Sequence, residues 1–83
     1  MPPDVTPPVP PSYISPIKVR LGSRLRTLRK ERGYSQIQLA MHADLGRAFV
    51  SDFETGKENA SLETLEKLAK AFSMSISELM TGI

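Results

Sequence analysis

The stretch Ser35-Gln36-Ile37-Gln38-Leu39-Ala40-Met41-His42-Ala43-Asp44-Leu45-Gly46-Arg47-Ala48-Phe49-Val50-Ser51-Asp52-Phe53-Glu54-Thr55-Gly56 decides the fold. Ser35 followed by Gln38 reads as a capping box: the hydroxyl accepts from the backbone N–H three residues on, and the amide returns to the cap's own N–H. It opens a helix over about residues 36–43, with Ile37, Leu39, Ala40 and Ala43 available for the buried side. Asp44-Leu45-Gly46 reads as a short turn. A second helix over about residues 47–54 buries Val50 and Phe53, and Gly56 closes it.

Outward from this pair the pattern stays helical. Ile17, Leu21, Leu25 and Leu28 form one apolar stripe on a first helix. Gly33 ends that helix, and Arg29, Lys30 and Arg32 suit the negative end of its dipole. After a loop at 57–60, Ser61 caps a fourth helix with the stripe Leu62, Leu65, Leu68, Ala69 and Phe72. Ser75 and Glu78 make another capping box, opening a short fifth helix with Ile76, Leu79 and Met80. The expected fold is all-α, a compact five-helix bundle between about residues 18 and 81. All seven prolines lie within residues 1–16, where neither a helix interior nor a central strand can form. Residues 1–17 are therefore expected to be a flexible proline-rich tail and 18–83 the folded domain. Pro7-Pro8-Val9-Pro10-Pro11 has the spacing that polyproline-reading domains bind, but is short and lacks a flanking basic residue.

Composition excludes several classes of function. There is no cysteine and His42 is the only histidine, so no zinc site, disulfide or thiol nucleophile is expected. No apolar run approaches the roughly 20 residues of a membrane helix, and Asp4 among prolines is unlike a signal peptide. A soluble cytoplasmic protein without metal or cofactor is expected. Ser35, His42 and Asp44 supply the letters of a catalytic triad, but His42 and Asp44 are two apart and do not face each other on a helix. There is no nucleophile elbow or glycine-rich phosphate loop, and no enzyme activity is expected. The net charge of +2 is unevenly spread. Residues 1–34 hold Lys18, Arg20, Arg24, Arg26, Arg29, Lys30 and Arg32 against Asp4 and Glu31, whereas residues 35–83 hold four cations against seven acids. A basic end beside an acidic end suits one polyanion-facing side, or simply a solvated surface.

Two helices over 36–43 and 47–54 with a three-residue turn have helix-turn-helix spacing, in which the second helix enters the DNA major groove and the first crosses the backbone. Specific residues sharpen the pattern: Leu21-Gly22-x-Arg24-Leu25-Arg26-x-Leu28-Arg29, Arg32-Gly33-Tyr34-Ser35-Gln36, Leu39-Ala40, Val50-Ser51, Glu54-x-Gly56-Lys57, Leu62-x-x-Leu65-x-x-Leu68-Ala69 and Phe72-x-Met74-Ser75-x-x-Glu78-Leu79. From Leu21 to about Met80 the sequence resembles the phage-repressor and Cro-type helix-turn-helix regulators, the xenobiotic-response-element family. Arg47-Ala48-Phe49-Val50-Ser51 with Asn59 also resembles the controller proteins of restriction–modification systems. The resemblance implies a lambda-repressor-like fold, sequence-specific binding of double-stranded DNA at a palindromic operator, and a homodimeric transcriptional regulator in a bacterial or phage-like cytoplasm, on the nucleoid. It also admits an antitoxin or other protein-interaction module on the same fold, and contact with a toxin or RNA polymerase. The arginine-rich first helix and the set Gln36, Arg47, Ser51 and Lys57 favour DNA. Some activators of this family carry acidic residues on the second helix. This one has none between Gln36 and Ala43, which points to repression or autoregulation.

By the same resemblance, Gln36 contacts phosphate and braces base-reading side chains, as an amide at a helix N-terminus suits an anionic oxygen. Arg47 begins the reading helix and can hold guanine O6 and N7 bidentately, or contact phosphate. Ala48 permits close approach or touches a thymine methyl. Ser51 donates to phosphate or a base, or packs. Asp52 occupies a groove-facing position despite its negative charge: it can accept from cytosine N4, pair with Arg47, or lower non-specific binding. Lys57 and Asn59, and less strongly Thr55, are expected against the sugar–phosphate chain. Arg29 and Glu54 match an ion pair that fixes the third helix on the first. Dimerisation is expected through the helix 4–5 end, where Met74, Ile76, Leu79, Met80 and Ile83 offer apolar side chains. Two departures from the family pattern stand out: Asp44 replaces the turn glycine, and Gly46 replaces the Ser/Thr cap of helix 3.

Overall fold

Proline starts the first helix. In the computed structural model, which describes residues 15–83, Ser15 is extended and Pro16 takes the first helical position, where its missing N–H is no loss. Residues 16 and 17, expected in the tail, are thus helical, and Pro7–Pro11 lies outside the described residues. The chain runs through α1 (Pro16–Glu31), α2 (Gln36–Ala43), α3 (Arg47–Glu54), α4 (Leu62–Ala71) and α5 (Ile76–Leu79), with no strand among the described residues. Among these residues no helix is long and apolar enough to cross a membrane.

The punctuation follows local chemistry. At the end of α1, Tyr34 N–H donates to Arg29 O and Gly33 N–H to Lys30 O, both at 3.0 Å, and Gly33 has φ of +71°; this is the Schellman arrangement. The Ser35 capping box is complete: Gln38 N–H donates to Ser35 Oγ at 3.1 Å and Ser35 N–H to Gln38 Oε1 at 2.8 Å. Asp44 ends α2 in the left-handed region, φ 54° and ψ 50°, the conformation that glycine adopts without cost. Gly46 caps α3 with backbone alone. Ser61 caps α4. Ser75 and Glu78 complete the box of α5, and the Ser75 backbone N–H and hydroxyl together hold the Glu78 carboxyl below its ordinary 4.5.

All five helices meet in one core, where Leu25, Leu39, Val50, Leu68, Phe72 and Leu79 are fully enclosed. Each such side chain contributes roughly 1.5–3 kcal/mol. Three expected core residues lie outside it: Ile17, Ile37 and Leu62 are 56%, 54% and 77% exposed. Ile17 and Leu62 sit in the first turns of their helices, near the edge of the bundle. Ile37 points away because α2 buries Leu39, Ala40 and Ala43, and a residue two before Leu39 falls on the far side of a helix.

One contact fixes the angle of α3. A Cβ on Gly22 would overlap the Phe53 carbonyl oxygen and lie 2.9 Å from that of Glu54. The absence of a side chain lets the middle of α1 rest directly on the end of α3.

Candidate nucleic-acid interface

Helix α3 is two-faced. Val50 and Phe53 are buried, and Phe49 leans on Phe53 with ring centroids 5.9 Å apart. With 3.6 residues per turn, Ala48, Ser51, Asp52 and Thr55 then share the opposite face, and Arg47, one turn before Val50, projects from the flank at the start of the helix. Arg47, Ala48 and Thr55 are exposed, and Ser51 and Asp52 half-exposed. The Thr55 hydroxyl turns back to the Ser51 and Asp52 carbonyls at 3.2 and 3.1 Å, so its hydrogen is engaged in closing the helix. The Asp52 carboxylate forms no ion pair among the described residues, and the pairing with Arg47 considered from the sequence is not made.

The back of this helix is anchored by a polar network. Arg29 Nε donates to Glu54 Oε2 at 2.6 Å and Arg29 Nη2 to Glu54 Oε1 at 3.0 Å, a two-pronged pair. Its third nitrogen, Nη1, donates to Tyr34 O at 2.9 Å. The side chains are only 12% and 4% exposed. Gln36 Nε2 adds a longer bond to Glu54 Oε1 at 3.3 Å. Gln36 thus couples the start of α2 to the end of α3, through its donor end. One of its two amide N–H groups is used on Glu54, which leaves the second, with the backbone N–H groups at the start of α2, to donate to a phosphate.

Past α3, the Lys57 N–H is tied to Asp52 O at 2.9 Å, leaving an exposed Lys57 side chain. Asn59 is exposed and stands at the rim of an apolar recess lined by Ile17, Leu21, Phe53, Leu65 and Met80.

The arginines of α1 and its cap correct an expectation. Their abundance had pointed to DNA, yet four of them brace the molecule. Arg20 Nη2 donates to Gly82 O at 3.0 Å. Arg24 donates through Nε to Leu79 O at 3.2 Å and through Nη2 to Glu78 O at 3.0 Å. Arg32 Nη1 reaches Phe72 O at 2.7 Å, with its guanidinium 5.8 Å from the Phe72 ring centre. Arg29 holds Glu54. Helix ends leave carbonyls without intrahelical partners and carry partial negative charge, so guanidinium groups satisfy the ends of α4 and α5. The spacing marks Arg20 and Arg24 only as one turn apart and flanking Leu21, on the edge of the buried stripe; their partners lie far along the chain.

The C-terminal apolar set also needs correcting. Leu79, expected at a dimer interface, is fully buried in the protomer's own core, because the one complete turn of α5 packs on α4 through it. Met74, Met80 and Ile83 are half-buried against that core, and Ile76 is 36% exposed. Leu62, assigned to the core from its spacing, is the most exposed apolar residue on the α4–α5 half.

Comparison with known proteins fits this geometry. A family described as helix-turn-helix matches residues 25–79, from the middle of α1 through α5. The control protein C.MunI of a Mycoplasma species is 43% identical over 68 residues, covering 81% of this chain and 92% of its own. The crystal structure of the restriction-modification controller protein C.AhdI from Aeromonas hydrophila superposes with a TM-score of 0.71 at 43% identity, over 74% of this chain and 92% of that one. SinR of Bacillus subtilis, a master regulator for biofilm formation solved in complex with DNA, gives a TM-score of 0.68 at 33% identity, over 72% of this chain and 97% of that one. With the family pattern spanning α1 to α5 and its two central helices in place, the chain belongs to the helix-turn-helix family of Cro- and repressor-type regulators.

Proposed function

We propose that this protein is a homodimeric transcriptional regulator that inserts α3 into the major groove of a palindromic operator. The observation that carries the reading is the outward face of α3: Ala48, Ser51 and Asp52 stand opposite the buried Val50 and Phe53, with Arg47 exposed beside them at the helix start. A rigid face is what base reading requires, and the Arg29–Glu54–Gln36 network supplies the rigidity. Arg47 reads guanine, Ala48 allows close approach, and Ser51 donates to a base or phosphate. Lys57, Asn59 and the α2 N-terminus at Gln36 position the protein on phosphates.

Ile76, with the half-buried Met74, Met80 and Ile83, forms the dimer contact, which spaces two α3 helices roughly 34 Å apart on DNA. The relatives named as control proteins and repressors support a regulator acting on DNA in the cytoplasm rather than an enzyme. The absence of acidic residues from α2 favours repression or autoregulation, as in a restriction–modification controller.

The test is selection of random duplex DNA by the purified protein, with the winner's affinity measured at two salt concentrations and the complex sized by sedimentation. A palindromic winner bound by two protomers is expected, with affinity falling steeply as salt rises. No enriched sequence, or a monomer at tens of micromolar with and without DNA, would contradict the reading.

A further inference from the structure

We propose that Asp52 is a specificity determinant that reads a cytosine in each half-site, its carboxylate accepting a hydrogen bond from the exocyclic N4 amino group. The assignment rests on α3 being the helix that enters the groove.

In the free protein Asp52 uses its carboxylate neither to cap a helix nor to form an ion pair among the described residues. It is the sixth residue of the eight in α3, so it cannot cap the N-terminus, where a carboxylate is favoured. Instead it lies in the last turn, where the partial negative charge of the helix end opposes it. No ion pair offsets this among the described residues: the pairs there are Arg29–Glu54, Lys67–Asp44 and Lys70–Glu66. The bonds made at this residue use its backbone carbonyl, which accepts from the Lys57 N–H and the Thr55 hydroxyl. The side chain is half-exposed on the same face as Ala48, Ser51 and Thr55. No cap and no ion pair among the described residues holds this carboxylate, and general attraction to a polyanion does not call for it.

A carboxylate in the major groove is an acceptor only. Guanine presents two acceptors there, N7 and O6. Adenine sets N7 beside its amino donor, and thymine presents O4 and a methyl group. Cytosine alone presents a donor, N4–H₂, without an acceptor on its own edge. The base that best compensates Asp52 is therefore cytosine: adenine sets an acceptor beside its donor, and guanine and thymine offer the carboxylate no donor. Asp52 lies five residues beyond Arg47 along α3. At 1.5 Å and 100° per residue the two side chains are separated by about 7.5 Å of rise and about 140° of rotation, so they reach different base pairs.

The experiment repeats the random-duplex selection with the wild type, Arg47→Ala, Asp52→Asn and Asp52→Ala, each first checked for unchanged helix content by circular dichroism. The expected wild-type half-site holds one cytosine that persists when Arg47 is replaced. In Asp52→Asn that position changes to adenine, which an amide matches at N6 and N7. In Asp52→Ala it loses its preference, and discrimination between cytosine and the other bases falls by about tenfold. Asp52→Ala enriching the same base at every position would overturn the assignment while leaving the DNA-reading role intact. A wild-type protein that enriches no sequence would overturn that role itself, and the assignment with it.

Discussion

In α1 and its cap, Arg20, Arg24, Arg29 and Arg32 all direct guanidinium N–H groups to protein acceptors: the carbonyls of Gly82, Leu79, Glu78 and Phe72, and the Glu54 carboxylate. In α3, Arg47 is exposed and makes no ion pair among the described residues. The same side chain thus has opposite roles in two helices that touch. The difference lies in what stands opposite each one. Arg20, Arg24 and Arg32 face the carbonyls at or just past helix ends, which are short of donors, and Arg29 faces the Glu54 carboxylate. Arg47 faces outward from a helix whose other side is anchored. Counting charges finds a basic half, but only their partners show which charges remain for DNA.

The contrast can be broken from the α1 side first. Arg29→Ala leaves Glu54 buried and unpaired, and is expected to cost about 3–5 kcal/mol in urea unfolding; a loss under about 1 kcal/mol would mean that the pair is not what anchors α3. Gly22→Ala gains up to about 1 kcal/mol of helix propensity. It also forces α1 off the Phe53 carbonyl, and overpacking of this kind costs about 1–3 kcal/mol. Net destabilisation is expected, with operator affinity reduced because α3 is displaced; a more stable protein would show that the two helices separate freely. Arg24→Ala removes charged bonds to two carbonyls at the end of α5, worth about 1–2 kcal/mol given partial exposure. Its thermal unfolding should fall by that amount, with little change in salt dependence of DNA binding; a shallower salt slope would instead place Arg24 on phosphate. The smallest effect has the opposite sign: Asp44→Gly relieves a left-handed residue at φ 54° and is expected to stabilise by about 0.5–1 kcal/mol, measured by differential scanning calorimetry. The Lys67–Asp44 pair lost with it spans 3.8 Å at exposed side chains and contributes little.

The elements themselves were legible wherever one residue type dictates local geometry. Ser35 with Gln38 and Ser75 with Glu78 announce helix starts, and both boxes are formed. Gly33 announces an end and sits at positive φ. Val50 and Phe53 fix which face of α3 is inward, and so which face is outward. Less was legible where the outcome depends on distant parts of the chain. Spacing places Ile17 and Leu62 on apolar stripes, but whether a first turn reaches the core depends on where the neighbouring helices stop. Leu79 reads equally as core or interface, since an apolar residue near a terminus carries no label. The destinations of Arg20 and Arg24 lie 62 and 55 residues away in the chain, beyond any local pattern. The proposed DNA face follows from the same face-by-face logic and the family resemblance, whereas no sequence pattern marks the Thr55 hydroxyl as turned back on its own helix.

The most direct test of the account is the affinity of Arg47→Ala for the selected duplex, measured against wild type in the same buffer with melting temperatures alongside. A loss of about tenfold or more at unchanged stability, with preference lost at one base position per half-site, is the expected result. Unchanged affinity would contradict it, and would move the DNA contact away from the outward face of α3.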